Sequence, residues 1–165
     1  MKNFKLPFLG LALALLIISC KKEDIQQPGA SQVSPSKVSS ASWNSLNNWS
    51  STSSDNTTTF FAKLSDSSIT ANVVSEGMVL VYKKSGNDIQ SLPFQEKDGK
   101  TYWYYQVSNG SLRVNSDNNS GQNLSAQSFS YFVITPQQLS DLEAQGKTKI
   151  DLLQLSYDQA TALLK

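Results

Sequence analysis

The sequence contains no histidine, and only one of its 165 residues is a cysteine. The absence of histidine excludes Ser/His/Asp and Cys/His catalytic sites, and it removes the commonest general base and the usual zinc ligand sets. A single cysteine excludes a disulfide within the chain. Charged residues are scarce, at 16%, and the formal net charge is +1. This balance calls for neither nucleic acid nor another polyanion as a partner.

The remaining routes to catalysis have weak support in the sequence. Glu96 and Asp98 are paired carboxylates of the kind that hydrolyse glycosides, but they lie at a predicted hairpin tip between lysines, where a solvated turn is the simpler interpretation. A Ser/Lys nucleophile pair stays formally open because serine is abundant and lysine is present, but no spacing singles one out. We therefore expect no enzyme and no cofactor.

The N-terminal residues have the pattern of an export signal. Lys2 and Lys5 form a positive region, and an apolar run follows from Phe8 to Ile18. Because this run is shorter than the about 20 residues that a membrane-spanning helix needs, we expect it to be cleaved.

The string Ile17-Ile18-Ser19-Cys20 resembles the lipobox of bacterial lipoproteins. The resemblance implies cleavage between Ser19 and Cys20 and attachment of a diacylglyceryl group to Cys20. Further acylation is also implied. Several acyl chains give durable anchoring, whereas a single chain binds a membrane only marginally, because each buried methylene contributes about 0.8 kcal/mol. The protein is then expected to be lipid-anchored in an outer membrane. The alternative is an uncleaved apolar segment that ends in a cysteine.

The next four residues, Lys21, Lys22, Glu23 and Asp24, resemble the surface-export signal of Bacteroidetes lipoproteins. The resemblance implies display at the cell surface, with periplasmic retention as the alternative. The following residues, to Ser42, are rich in Gln, Ser and Pro and have no hydrophobic period, which is typical of a flexible tether.

The predicted organisation therefore has four parts. They are a signal peptide at 1–19, a lipidated N-terminus and tether at 20–42, a β-sandwich at 43–135, and a helical appendage at 136–165. At the start of the sandwich, Trp43, Leu46 and Trp49 recur at a three-residue step. These residues form either one helical turn or plugs over an end of the core.

Short β-branched and aromatic runs, separated by Ser, Gly, Asn or Asp, follow from residue 57 onward. This pattern predicts an all-β fold, mainly an antiparallel β-sandwich of the Ig-like or jelly-roll-like kind. The runs are "TTTFFAKL", "ITANVV", "MVLVYKK", "SLPFQEK", "TYWYYQV", "SLRVN" and "SFSYFVIT".

Two turn signals predict the register of a three-stranded meander. Asn109-Gly110 indicates a two-residue type I′ hairpin that places Val107 opposite Leu112, and Asp98-Gly99 indicates a second hairpin. Side-chain alternation then gives the meander a core face and a second face. The core face carries Phe94, Trp103, Tyr105, Val107, Leu112 and Val114, and the second face carries Tyr102, Tyr104, Gln106 and Arg113.

Tyr102 and Tyr104, beside Arg113, are the candidate ligand platform. Exposed tyrosine rings stack on the apolar faces of sugars and carry hydroxyl groups for hydrogen bonding. The alternative is that a second sheet or the C-terminal helices cover this face. The expected partner is a glycan or a protein.

The C-terminal region contains helix-capping signals. Thr135, Pro136 and Gln138 predict a short helix with Leu139 and Leu142 inward and a stop at Gly146, and Ser156 with Gln159 predicts a terminal helix. Tyr157, Ala160, Leu163 and Leu164 form the apolar stripe of that terminal helix. The intervening "KIDLLQL" is a strand or a loop.

The segment "SDNNSGQN" offers oxygen atoms from Asp117 and Asn119 in the manner of some calcium loops. It lacks the further carboxylates of a tight site, and a polar inter-strand loop is the simpler interpretation. We expect no metal site.

From Trp43 to Pro136 the chain resembles a secreted or lipid-anchored β-sandwich domain of unknown function found in Bacteroidetes. The resemblance rests on "EGMVLVYKK", "SLPF", "SLRV" and "SYFVIT" followed by proline, and it implies fold and location only. The expected function is noncatalytic binding or adhesion. The alternative is a structural or assembly subunit that docks a partner through Leu163 and Leu164, and a hydrolase is a distant third.

Overall fold

The computed structural model describes residues 39–40, 42–117 and 123–165, which belong to one unit of the chain, Val33–Lys165. The predicted signal, lipidation and export residues, among them Ser19, Cys20 and Lys21 to Asp24, lie outside the described residues, as does Asn119. No helix in these ranges has the length and apolar character needed to cross a bilayer.

Strands dominate the described part of the chain. The strands are β1 (Ser39–Ser40), β2 (Asn44–Ser45), β3 (Ser50–Ser54), β4 (Thr57–Ser65), β5 (Met78–Ser85), β6 (Asp88–Ser91), β7 (Phe94–Gln95), β8 (Tyr102–Ser108), β9 (Ser111–Asp117) and β10 (Ser128–Ile134). The helices are α1 (Ala71–Ser75), α2 (Pro136–Ala144), α3 (Lys149–Leu153) and α4 (Tyr157–Leu164), with a 3₁₀ turn at Leu124–Ala126.

The strands form two five-stranded antiparallel sheets. One sheet, called here the middle sheet, has the order β1-β10-β5-β6, with β2 also pairing with β10. The other, called here the outer sheet, has the order β3-β4-β9-β8-β7. This architecture confirms the predicted antiparallel, sandwich-like fold.

The two sheets pack face to face around a shared core. Trp103 of the outer sheet is fully buried, and its ring contacts Phe129 of the middle sheet at 5.8 Å between centroids. The buried members of this first core are Leu46, Ala62, Ile69, Val73, Val79, Val81, Leu92, Trp103, Leu112, Val114, Phe129, Tyr131 and Val133.

A second core lies on the opposite face of the middle sheet, where the C-terminal helices pack. Its buried members are Leu80, Tyr82, Phe132, Ile134, Leu139, Leu142, Leu152, Ala160 and Leu164. The hydroxyl of Tyr82 donates a hydrogen bond to the Leu155 carbonyl oxygen at 3.1 Å, and burial of this side chain raises its pKa to about 12. The helices are therefore a third layer of the fold and more than an appendage.

The predicted register of the meander is confirmed, but the predicted type of the turn at Asn109-Gly110 is wrong. Val107 lies opposite Leu112 and Phe94 opposite Trp103, as predicted. At the tight turn Gly110 has a positive φ of 75° whereas Asn109 does not, so the turn is not type I′. The backbone N–H of Gly110 donates to the Ile69 carbonyl oxygen at 2.7 Å, and this contact with the neighbouring loop accompanies the different turn.

Two segments for which no helix was expected are helical. "ITANVV" was predicted as a strand, but Thr70 caps α1 there by accepting a hydrogen bond from the Val73 N–H. Val73 then fills the core while Val74 stays 44% exposed, so packing overrides the β propensity of valine. "KIDLLQL" forms α3 because Thr148 and Asp151 make a capping box.

Two further differences concern strand limits, and the structure also decides between the two interpretations of the tryptophan segment. β1 pairs with β10 inside the range predicted as tether, since an edge strand of serines adds through its backbone without an apolar pattern. "SLPFQEK" divides between β6 and β7 at the cis Leu92-Pro93 bond. Trp43 packs against the second core and Trp49 packs against the first core, so both act as plugs, and this segment contains no helical turn.

The two predicted capped helices are confirmed. Thr135 and Gln138 form a capping box at the start of α2, and Ser156 with Gln159 forms another at α4. Gly146 follows α2 with a φ of 82°, which is a common way for a helix to end.

Candidate functional site

One sheet face in the described part of the chain carries no second layer. The middle sheet covers one side of the outer sheet, and the C-terminal helices pack on the middle sheet. The opposite side of the outer sheet, called here the outer face, is consequently open to solvent. Its central residues are Thr59, Phe61 and Lys63 of β4, Arg113, Asn115 and Asp117 of β9, and Tyr102, Tyr104 and Gln106 of β8.

The predicted tyrosine platform lies on this outer face. Tyr102 and Tyr104 are two residues apart on β8, so alternation directs both side chains to the same side. Their ring centroids are 5.7 Å apart and the ring planes differ by 22°. Tyr102 is 40% exposed and Tyr104 is half-buried. Neither the other described sheet nor the described helices cover them.

Asp117 fixes one end of the platform. It lies opposite Tyr102 on β8 and opposite Thr59 on β4. Its carboxylate accepts hydrogen bonds from the Thr59 hydroxyl at 2.5 Å and from the Tyr104 hydroxyl at 3.5 Å. Burial and the negative charge of Asp117 raise the pKa of Tyr104 above its ordinary value. The Tyr104 hydroxyl is therefore neutral at physiological pH.

A basic groove occupies the other end of the outer face. Arg113 lies opposite Lys63 on β4 and opposite Gln106 on β8. The Arg113 guanidinium carbon is 3.7 Å from the centroid of the Phe61 ring, a cation–π contact. With Ser108 and Ser111, these four residues line a cavity of about 320 Å³.

Two buried polar atoms on the outer face have no hydrogen-bond partner among the residues that the structure describes. They are Arg113 Nε and Asn115 Oδ1. Asn115 is 1% exposed, and its Nδ2 donates only a long bond of 3.4 Å to the Arg113 carbonyl oxygen. Arg113 was a predicted site residue, whereas Phe61, Lys63 and Asn115 were not recognised. No short turn connects β4 to β9, so no sequence signal placed β4 beside the meander.

The carboxylates considered for glycoside hydrolysis have separate structural contacts. Glu96 Oε1 accepts from Lys83 Nζ at 2.7 Å and from Trp103 Nε1 at 3.0 Å. Asp98 accepts from the backbone N–H groups of Thr101 and Lys100, which hold its pKa below the usual range. Asp98 therefore shapes the turn, and Glu96 neutralises a lysine that is only 4% exposed.

The remaining sequence candidates do not join the outer-face site. Asp117 is engaged by Thr59 and Tyr104, and residues 42–117 and 123–165 contain no cluster of three or more acidic, cysteine or histidine side chains suited to a metal. Leu164 is 4% exposed and Leu163 packs beside it against the second core. The stripe proposed for partner docking thus contacts the protein's own middle sheet.

Tyr102, Tyr104 and Arg113 are therefore brought together on one open face, with Asp117 at one end and Lys63 at the other. Comparison of the chain with protein-family models, with curated proteins and with solved structures found no match.

Proposed function

We propose that this protein is a noncatalytic binding or adhesion module that binds glycans through its outer face. The Tyr102–Tyr104 pair is the observation that carries the proposal. The two rings are stacked on each other on the open sheet face, and the exposed Tyr102 ring provides apolar surface of the kind that sugar rings contact. Around them, Asp117, Gln106 and Arg113 supply hydrogen-bonding groups that fix the orientation of a polar ligand.

The proposed location is the outer membrane, with the domain lipid-anchored and displayed at the cell surface. The lipobox-like string ending at Cys20 and the tetrad from Lys21 to Asp24 support this proposal, together with the resemblance to Bacteroidetes lipoproteins. We further propose that the sandwich is of the Ig-like or jelly-roll-like kind. A face with exposed tyrosines suits a module held outside the cell, where polysaccharides are abundant.

The alternative role, as an assembly subunit of an outer-membrane complex, has less support. It was expected to use Leu163 and Leu164, which contact the middle sheet. Exposed apolar residues occur instead on α3, where Ile150 is 67% exposed and Leu153 is 45% exposed. Nothing on the described surface indicates what protein would cover them.

Replacing Tyr102 with alanine is expected to weaken glycan binding about tenfold, which corresponds to about 1.4 kcal/mol. The reason is that the substitution removes the more exposed ring of the pair, and aromatic contacts of this kind contribute about 0.5–1.5 kcal/mol beyond area burial. Binding is measured on a glycan array and then by affinity electrophoresis with the polysaccharides that the array identifies.

Two matched variants make this test specific. Tyr102→Phe keeps the ring and should retain most of the affinity, and Ile150→Ala removes an exposed apolar side chain from α3 and should leave binding unchanged. All three variants should melt within a few degrees of the parent protein, because Tyr102 and Ile150 are exposed. A parent protein that binds no glycan, or equal binding by Tyr102→Ala, would contradict the proposed function.

A further inference from the structure

Arg113 and Lys63 lie directly opposite each other on neighbouring strands, and no acidic side chain of the described residues pairs with either. Within the described ranges, the single ion pair joins Lys83 and Glu96 on another part of the molecule. Like charges placed directly across a sheet destabilise the pairing. The repulsion between these two adjacent positive charges therefore lowers the stability of the fold, and a bound anion would remove this repulsion.

The Arg113 side chain is already positioned to receive such an anion. Its guanidinium group lies over the Phe61 ring at 3.7 Å, a contact that fixes the plane of the group. Its Nε is buried and donates to no acceptor within residues 39–40, 42–117 and 123–165. Planar guanidinium groups bind carboxylate and other oxyanions through two parallel hydrogen bonds, and these charge-assisted bonds are about twice as strong as neutral ones.

The basic groove adjoins the tyrosine pair. Tyr104 is the diagonal neighbour of Arg113 across β8 and β9, at a separation of about 7–8 Å. Gln106, which follows Tyr104 on the same face, lines the groove. One sugar residue can therefore contact the tyrosines while its substituent reaches Arg113.

Charge is also distributed unevenly along β9. Asp117, which closes the far end of the platform, is four residues from Arg113, or about 13 Å along the strand at about 3.3 Å per residue. The outer face is thus positive at the groove and negative at the other end. A net charge of +1 for the whole chain conceals this local arrangement.

We propose that the outer face selects acidic saccharides, with the carboxylate or sulfate group of the sugar bound in the basic groove by Arg113 and Lys63. The inference rests on the proposed glycan-binding function and specifies its ligand class. The sugar ring lies against Tyr102 and Tyr104, its hydroxyl groups face Asp117, and its anionic group relieves the repulsion between the two cations.

The test compares polymers that share a backbone and differ only in charge. Affinity electrophoresis of the chain from Cys20 onward, without the proposed leader, is run against polygalacturonate and its fully methyl-esterified form, and against dextran sulfate and dextran. We expect at least tenfold tighter binding to one or both acidic polymers than to the neutral counterpart, and this preference should fall as salt is raised. A preference limited to one pair identifies the group as a carboxylate or a sulfate.

The variants Arg113→Gln and Lys63→Gln should each reduce the acidic-to-neutral affinity ratio about tenfold. Lys149→Gln makes the same change in charge on α3, on a different layer of the fold, and should leave the ratio unchanged. Lys63 is exposed, so its variant carries the test even if Arg113→Gln disturbs the sheet.

Two results separate the inference from the proposed function. Equal binding to the acidic and neutral polymers would overturn the acidic preference while leaving glycan binding in place. A parent protein that binds none of the polymers and no array glycan would overturn both. An equal loss of the ratio in Lys149→Gln would also overturn the inference, because the preference would then reflect total charge.

Discussion

Replacing Glu96 with alanine is expected to lower the free energy of unfolding by about 3 kcal/mol. The Lys83 side chain is 4% exposed, and its ammonium group lies 2.7 Å from Glu96 Oε1 between the two sheets. Without Glu96, a buried positive charge has no counter-charge and Trp103 Nε1 loses its acceptor. We expect the lower end of the range for broken buried pairs, since Glu96 is 22% exposed and water screens part of the interaction.

The aromatic groups around Lys83 compensate only in part. Its Nζ is 4.7 Å from the centroid of Trp103 and 5.3 Å from that of Phe94. Such contacts contribute about 0.5–2 kcal/mol, which is less than the cost of an unpaired buried charge.

A double-mutant cycle measured by urea unfolding separates the charge effect from packing. Lys83→Met and Glu96→Leu should each be destabilising, whereas the double variant that carries both should recover most of the stability, because apolar groups then replace both charges. Glu143→Ala, an exposed carboxylate on α2, is the matched control and should change stability by less than about 0.5 kcal/mol. A Glu96→Ala effect as small as that of Glu143→Ala would show that Lys83 finds water instead.

Replacing Leu152 with alanine is expected to lower the free energy of unfolding of the whole domain by about 2–5 kcal/mol. Leu152 is fully buried on α3 within the core between the helices and the middle sheet. Its neighbour Leu153 is 45% exposed, so Leu153→Ala makes the same chemical change one position away and should cost less than about 0.5 kcal/mol.

The effect of Leu152→Ala should appear in every probe of unfolding. The middle sheet belongs to both cores. In a Trp43→Phe background, which removes the tryptophan that packs on the second core, fluorescence reports on the first core through Trp49 and Trp103. We expect this fluorescence to shift together with the far-UV circular dichroism of the helices. A separate early transition of the helices, with unchanged tryptophan fluorescence, would mean that the helices are an appendage after all.

The meander is the part of the fold that the sequence determines most directly. Gly99 and Gly110 both adopt positive φ at the turns, and the short connections fix which residues lie opposite each other. Alternation then separates Trp103 from Tyr102 and Tyr104. The face that carries the tyrosine pair is thus predictable from local chemistry alone.

The remainder of the outer face depends on contacts between distant segments. β4 joins β9 across more than 40 residues, and no local signal specifies that pairing, so Lys63 and Phe61 could not be placed beside Arg113. The β3–β4 hairpin was missed for a different reason. Its turn uses Asp55 and Asn56 at positive φ values of 50° and 65°, without the glycine that usually marks such a turn.

The short helices show the limit of propensity. α1 contains two valines in a row, which favour a strand, and α3 is only one and a half turns long, so neither segment would be stable as an isolated helix. Tertiary packing of one residue in each, Val73 and Leu152, decides the conformation. The capping signal at Thr148 and Asp151 was available in the sequence but was not recognised.

β10 has apolar side chains on both faces, because it lies in the middle of three layers. Phe129, Tyr131 and Val133 belong to one core, and Phe132 and Ile134 belong to the other. In a strand with one solvent-exposed face, slippage by a single residue moves apolar side chains into water. The free-energy cost of that exposure fixes the register of the strand. In β10 the same slip would exchange apolar side chains between the first core and the second core, and neither set would be exposed to water. Side-chain volume, together with the hydrogen bond that the Tyr131 hydroxyl donates to Asp66 Oδ2 at 2.7 Å, therefore holds this strand in place. Swapping Phe132 with Val133 would preserve total hydrophobicity while misfitting both cores.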